Sequence, residues 1–459
     1  MRRFASVILA TLLAVSLVGL VGVGSAGAQG GNERQGVSGT QISVGGLASP
    51  PSVLNVPYQD GFAGTKAYFD KVNKAGGLFG KKLKLVAQLS DQGAPSGNIR
   101  AVRTLVEEKK VFAVLPIETN SFAGGKYLSD TGIPSFGYDI DAGYCGTQEE
   151  VLAIENGSPN RSTPGSFDQC PRQNVFGQSG SYLCFICPSI SPAVLAKQIG
   201  AKKAAILTYT HPSSTACGDG DEASFKRYGI DIAFEDKTLN FGFPDASADA
   251  QAMKDAGVDY VATCMDFGGS YKIAQELKQA GATGVTFYAP EGYRQDTLDK
   301  YGSNLNDWIF RIGFTPWQGK NLPKGTKEFL AAMKKAGVKP SEQSQTGWIN
   351  AALLVAGIKK AGKDFTWSSV NDAINSITDF TADGILPPIN WAAGGDGHGP
   401  SHEACDAYVA VKNAKFVPEF GKPGQPFVCY PDNPQPANLD TPYYRPLKPG
   451  EPDPLAANG

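Results

Sequence analysis

Few residues in this 459-residue chain have types and spacing that could do chemistry: three histidines, eight cysteines and a set of acids placed after short apolar strands. The histidines are His211, His398 and His402. Ser-His-Asp or Cys-His catalysis needs one of them beside a positioned nucleophile, and no G-x-S-x-G elbow is present. His398 and His402 lie in the Gly/Pro-rich run Gly397 to Glu403, which reads as solvated surface rather than a metal site. Gly76-Gly77-Leu78-Phe79-Gly80-Lys81-Lys82 only superficially resembles a phosphate loop. It lacks the glycine five residues before Gly80 and the hydroxyl after Lys81, and it ends a helix rather than starting one. The acids are harder to dismiss. Asp139 and Asp141 follow the strand read at Ile133–Phe136, Asp266 follows Tyr260–Cys264, and Glu291 follows Val285–Tyr288. Loops beyond the carboxyl ends of parallel strands are where α/β sheets hold ligands. A glycosidase would need two such carboxylates, one with a raised pKa. Acids spread over two lobes more simply describe a polar or cationic ligand held between them. The expectation is a binding protein with no catalysis, cofactor or metal.

The eight cysteines are Cys145, Cys170, Cys184, Cys187, Cys217, Cys264, Cys405 and Cys429. All follow an N-terminal segment with a basic start (Arg2, Arg3), an apolar run near Val7–Val23 and Ala26-Gly27-Ala28, a secretory signal with cleavage expected after Ala28. An even cysteine count in an oxidising compartment favours disulfides over metal. Sequence leaves many connectivities open. The pairings expected are Cys145–Cys170 across an inserted loop, Cys217–Cys264 between neighbouring strand ends, Cys405–Cys429 across a hairpin, and Cys184–Cys187 as a local C-x-x-C pair. No cysteine directly follows the apolar run to carry a lipid. Removing Arg2 and Arg3 from 42 basic residues leaves 40 against 44 acidic ones, a formal balance of −4. With no basic block, nucleic acid is not an expected partner.

Those candidate residues hang on alternating elements. Strands are expected at Ile42–Leu47, Lys82–Leu89, Val111–Leu115 and Ile133–Phe136, separated by helices at Tyr58–Lys74, after Ser96 as a cap, and at Phe122–Ser129. After an irregular Gly/Pro/Ser/Asn stretch from Tyr138 to Asn174, strands recur at Ala204–Tyr209, Ile230–Phe234, Tyr260–Cys264, Val285–Tyr288 and Trp308–Ile312. Helices are read at Asp219–Tyr228, Ala246–Ala256 and Tyr271–Ala280. Three more helices follow, near Lys327–Ala336, Trp348–Lys360 and Ser368–Ile377. This is an α/β chain of two doubly wound lobes, each a parallel sheet covered on both faces. Pro431 to Gly459 carries eight prolines without apolar periodicity and reads as an extended tail.

Several pieces, in this order and spacing, resemble the type I periplasmic solute-binding proteins of ABC importers, in the leucine/isoleucine/valine-binding branch. They are Asn73-Lys74-Ala75-Gly76-Gly77-Leu78-Phe79-Gly80-Lys81-Lys82, Asp91-Gln92-Gly93, Gly132-Ile133-Pro134, Ala289-Pro290-Glu291-Gly292 and Gly384-Ile385-Leu386-Pro387-Pro388-Ile389-Asn390-Trp391. The resemblance covers about 41 to 416. It implies two lobes joined by three crossovers, with solute trapped as the hinge closes. Lobe I would comprise 41–140 and about 315–378; lobe II about 172–314 and 379–430; residues 141–171 would be a disulfide-pinned insertion. It also implies a small-molecule solute (an amino acid, amide or other polar compound), a membrane permease as partner, a monomer, and a periplasmic or cell-wall location. On that pattern Glu291 would pair with a ligand ammonium. Thr119, Asn120 and Ser121 would hold its carboxylate, Phe267 would form an aromatic wall, and Tyr58 would close over the far end. The chain departs from the pattern where Asp139 and Asp141 replace a second short hydroxyl loop, and Cys217 stands where an aromatic is common. A carboxylate there would repel a ligand α-carboxylate, so the cleft is expected to favour a cationic solute, a neutral amide or a polyol over a branched-chain amino acid. A sensor of the same fold, or an exported hydrolase, is the alternative.

Overall fold

The computed structural model describes residues 32–52, 55–146, 170–180, 190–392, 397–398, 404–422 and 424–430. The signal segment, the Cys184–Cys187 pair, His402 and the proline-rich tail lie outside the described residues. None of the described helices is long and apolar enough to cross a membrane.

The first sheet has order β2-β1-β3-β4-β5, with β1 Gln41–Ala48, β2 Lys82–Ser90, β3 Ala113–Glu118, β4 Ser135–Gly137 and β5 Val175–Gly177. Every pairing in it is parallel. β1 and β3 are buried along most or all of their length, as central strands covered on both faces must be. Helices α1 (Asp60–Lys74), α2 (Pro95–Arg103) and α3 (Gly125–Thr131) connect these strands. α2 runs on into a π-helical turn, Thr104–Glu108. The expected cap at Ser96 is not made: Ala94 takes the extended N-cap position without a side-chain bond, and Pro95, with its φ already helical, opens the helix.

The second sheet runs β12-β11-β10-β9-β8-β6-β7. Its parallel part comprises β6 Lys203–Tyr209, β7 Asp231–Leu239, β8 Tyr260–Cys264, β9 Thr286–Ala289 and β10 Trp308–Ile312. β11 (Ala404–Lys412) and β12 (Lys415–Glu419) add antiparallel strands at its edge, and β13 (Val428–Tyr430) pairs with β11. Its helices are α4 Ile190–Ile199, α5 Pro212–Tyr228, α6 Ser247–Ala256, α7 Phe267–Gln279 and α8 Gln295–Tyr301. α9 (Lys324–Ala336), α10 (Glu342–Ala361) and α11 (Trp367–Ile374) follow, and α10 packs along α1 and against β3 of the first sheet. The chain thus passes between the sheets after β5, after β10 and after α11.

Several expectations are corrected here. β5, α4 and α8 were not foreseen; β5 joins the first sheet, so the passage into the second comes after Gly177 rather than near 172. The Cys145–Cys170, Cys217–Cys264 and Cys405–Cys429 disulfides are present. Cys217, however, lies in the middle of α5 rather than at a strand end. Cys405 and Cys429 face each other across β11 and β13, whereas the hairpin itself joins β11 to β12. His398 is not a solvated surface residue. It is 2% exposed, its ring packs on Phe176 and Trp391, and its Nε2 meets Asn375 Oδ1 at 3.0 Å. Burial holds its pKa down at about 3, so it packs as a neutral ring.

Candidate functional site

Strand polarity sends the ends of β1, β3 and β4 toward the ends of β6, β8 and β9, and the loops leaving them hold most of the residues singled out above. In the first sheet, the loop after β3 is tied down by its neighbours. Ser49 donates from its backbone to Glu118 O (2.9 Å) and from its hydroxyl to Asp91 Oδ2 (2.7 Å), while Asn120 N donates to Ser49 Oγ (3.1 Å). This leaves Thr119 Oγ1 and Ser121 Oγ buried without a hydrogen-bond partner. Tyr58, 3% exposed in the loop before α1, meets Tyr138 edge-on at 6.4 Å. Burial, with Glu291 and Glu118 beside it, pushes its phenol well above the ordinary range.

In the second sheet, Asp266 is the N-cap of α7. It accepts from Gly268 N (2.7 Å) and from the Tyr209 hydroxyl at the end of β6. Glu291 is 8% exposed and already bonded twice within its own lobe: Oε2 accepts from Phe267 N at 3.0 Å and Oε1 from Arg294 Nη1 at 3.1 Å. Burial raises it to about 7 despite the opposing Arg294 charge. The same Arg294 Nη1 also reaches Asn55 O, 2.9 Å away in the loop that carries Tyr58. One guanidinium therefore bridges the two sides of the cleft.

Two of the predicted residues turn away from the cleft. Phe267 is fully buried with its ring among Tyr271, Tyr301 and Trp308, at centroid distances of 5.6, 5.2 and 5.5 Å, so it belongs to the core behind the second sheet rather than to an aromatic wall. It contributes its backbone N–H instead. Asp141 accepts from Gly143 N at 2.7 Å and closes the turn Ala142–Tyr144, a structural use of its carboxylate. Asp139 does face open space. It is 4% exposed, with Ser179 Oγ 3.3 Å from Oδ1 and its own N–H donating to Gln178 Oε1 at 2.8 Å.

Asp139 lines a cavity of about 440 Å³ beside the crossovers, with Tyr138, Gln178, Arg311, Glu342 and Asp406 among its polar walls and Phe314, Ile349 and Leu386 among its apolar ones. Glu342 and Glu118 were missed by the sequence reading. Glu342 opens α10, and burial pushes it up to about 8, with Glu291 adding to the rise. Glu118 ends β3 fully buried, with neither carboxylate oxygen bonded; burial raises it well above the carboxylate range, and Glu342, Asp60 and Asp139 add to the effect. The S-x-x-S capping box at Ser341 and Ser344 was the available signal for an earlier helix start, and therefore for Glu342.

Asp221 on α5 extends the acidic theme away from the cleft, beside the Cys217–Cys264 disulfide. Burial raises it to about 8 against the opposing charges of Arg311 and Lys237. A carboxyl raised on folding stabilises the fold while it stays protonated, and that contribution is lost as pH climbs toward the folded value. Stability is therefore expected to fall between about pH 5 and 8, and Asp221→Asn is expected to flatten that slope. Urea unfolding at both pH values checks it; an unchanged slope would contradict it.

Comparisons with known proteins give the following. The family model described as periplasmic binding protein matches residues 41–410. No curated protein matches the chain. Among solved structures, the chain is similar to the fatty acid ABC transporter substrate-binding protein from Thermomonospora curvata, at TM-score 0.64 and 14% identity over 86% of this chain and 94% of that one. It is similar to the branched-chain amino acid transporter substrate binding protein from Streptococcus pneumoniae in complex with isoleucine, at TM-score 0.63 and 17% identity over 83% and 99%. A solute binding protein of an ABC transporter from R. palustris, in complex with benzoate, matches at TM-score 0.61 and 17% identity over 84% and 97%.

Proposed function

The chain belongs to the periplasmic binding protein family, and from that premise we propose that it is the extracytoplasmic solute-binding component of an ABC importer. It captures a small solute between its two lobes, closes on it by rotation about the three crossovers, and presents the closed form to a membrane permease. Export by the N-terminal signal, with cleavage after Ala28, is part of this reading and is supported by the basic start, the apolar run and Ala26-Gly27-Ala28. The observation that carries this reading is the Arg294 bridge: a buried guanidinium bonded to Glu291 on one side and to Asn55 O on the other links cleft opening to the charge of the site. A solute contacting both lobes favours the closed state by contacts that the open state lacks. The neighbours' names span a fatty acid transporter and complexes with isoleucine and benzoate, so the fold is compatible with very different solutes.

Thermal unfolding of the mature chain against amino acids, amides, polyamines and aromatic acids tests the proposal. A solute at 100 times its Kd adds about 2.7 kcal/mol, which raises the midpoint by a few degrees. No shift across the panel, or turnover of a glycoside or amide abolished in Glu291→Gln, would count against it.

A further inference from the structure

The cavity beside the crossovers has an unusual charge balance. Arg311 is the cation on its wall, and it is already engaged: Nε lies 2.6 Å from Asp406 Oδ1. The same guanidinium also acts on Asp139, on Glu342 together with Arg294, and on the neighbouring Asp221 together with Lys237. Among the lining residues one cation, Arg311, thus faces three carboxyl groups, Asp139, Glu342 and Asp406, and Glu118 stands behind Asp139 and Glu342 with no bonded oxygen. Glu342 Oε2 is likewise buried without a partner. The remaining wall includes Ile140, Phe314, Ile349, Leu386 and the ring carbons of Pro387 and Pro388, a surface suited to an apolar body. Pockets of this size are large enough for a compact organic ligand held by a few polar groups.

Resting on the solute-capture reading, we propose that this cavity is the subsite for a small organic monocation with an apolar body, an alkyl- or aralkylamine, with Asp139 and Glu342 as its charge partners. An ammonium supplies positive charge beyond that of Arg311, already paired with Asp406, and its N–H groups meet Glu342 Oε2 and the Asp139 carboxyl. A free carboxylate would meet the carboxyls of Asp139 and Glu342 in place of a cation and could form no ion pair with them. Arg311 does not offset this, because its own carboxylate partner is in place. Burial raises both carboxyls in the free protein, Glu342 to about 8, and an ammonium beside them favours their charged forms, so the amine binds with proton release. The groups facing them are Arg311, Arg294, Glu291, Glu118, Tyr138 and Ser179. Because the Arg294–Glu291 pair lies outside this cavity's walls, the two sets of charges can be tested separately.

Isothermal titration of the mature chain with phenethylamine, phenylalanine and phenylacetate holds the aromatic body constant and varies only the charge. Phenethylamine is expected to bind, phenylacetate not, and the zwitterion more weakly than the amine. Amine affinity is expected to rise between pH 6 and 8.5, and Asp139→Asn and Glu342→Gln each to weaken it at least tenfold without changing the fold's circular dichroism. Failure of phenethylamine to bind would overturn the assignment. So would equal or tighter binding of phenylacetate or phenylalanine, or amine affinity unchanged in both variants. If another solute binds and depends on Glu291 but not on Asp139 or Glu342, solute capture stands and the amine cavity falls. If no solute binds at all, both fall.

Discussion

Gly347→Val is expected to be among the most destabilising single substitutions in the chain, costing about 3 kcal/mol or more and collapsing the helical layer over the first sheet. α1 and α10 cross so closely that a Cβ on Gly347 would land on the Gly61 carbonyl oxygen, and one on Gly64 on the Ser344 carbonyl oxygen. Thr65 Oγ1 donates to Gly347 O at 3.1 Å through the same contact, and Tyr68 packs edge-on to Trp348 at 4.9 Å. Backbone faces backbone here, so no flexible side chain can yield, and the helices must separate. The functional consequence follows from position: the α1 start carries Tyr58 in its lead-in, and the α10 start carries Glu342. Urea unfolding with Gly39→Ala as control checks the expectation, since nothing lies within 4 Å of a Cβ at Gly39 and its replacement should cost less than about 0.5 kcal/mol. Equal effects of the two substitutions would refute the close-packing explanation.

Arg294→Ala is expected to cost about 3–5 kcal/mol, the usual penalty for removing one partner of a buried ion pair. Arg294 is 3% exposed and donates to Glu291, Thr297 Oγ1 and Asn55 O. Without it, Glu291 keeps one backbone bond from Phe267 and loses the favourable charge beside it, so its pKa climbs above the value of about 7 that it has with the arginine present. A carboxyl raised further on folding loses more stability as pH rises. The deficit of Arg294→Ala should therefore be larger at pH 8 than at pH 5, and Glu291→Gln in the same chain should recover part of it. A double-mutant cycle at both pH values reads the coupling directly. A deficit independent of pH and not relieved by Glu291→Gln would show that Arg294 acts only through its packing.

Much of the architecture was legible because its determinants are periodic. Buried β1, β6, β8 and β10 are short apolar runs between helices, and such runs announce parallel strands. What escaped did so for local physical reasons. Glu118 was missed because Pro116 reads as a strand breaker, and yet β3 continues through it to place the acid at its end. Glu342 was missed because the first turns of α10, Glu342-Gln343-Ser344-Gln345-Thr346-Gly347, carry no apolar face although Gln343 to Gly347 are buried. Burial there comes from α1 lying against glycine, which hydrophobic patterning does not encode. Asp139 was legible as a strand-end acid, but nothing in sequence distinguishes it from Asp141, which spends its carboxylate on a turn two residues later. Phe267 shows the same limit: its position beside the site was readable, while its rotamer was set by the aromatic cluster behind the sheet.

The central proposal, capture of a solute between two lobes that close on it, is tested most directly by small-angle X-ray scattering. The mature chain would be measured alone and saturated with whichever solute raises its unfolding midpoint most. A fall in radius of gyration on binding, lost in Arg294→Ala, is the result expected of a cleft whose two sides are drawn together through the solute and the Asn55 bridge. An unchanged radius with the solute demonstrably bound would place binding outside the interlobe cleft and contradict capture by closure.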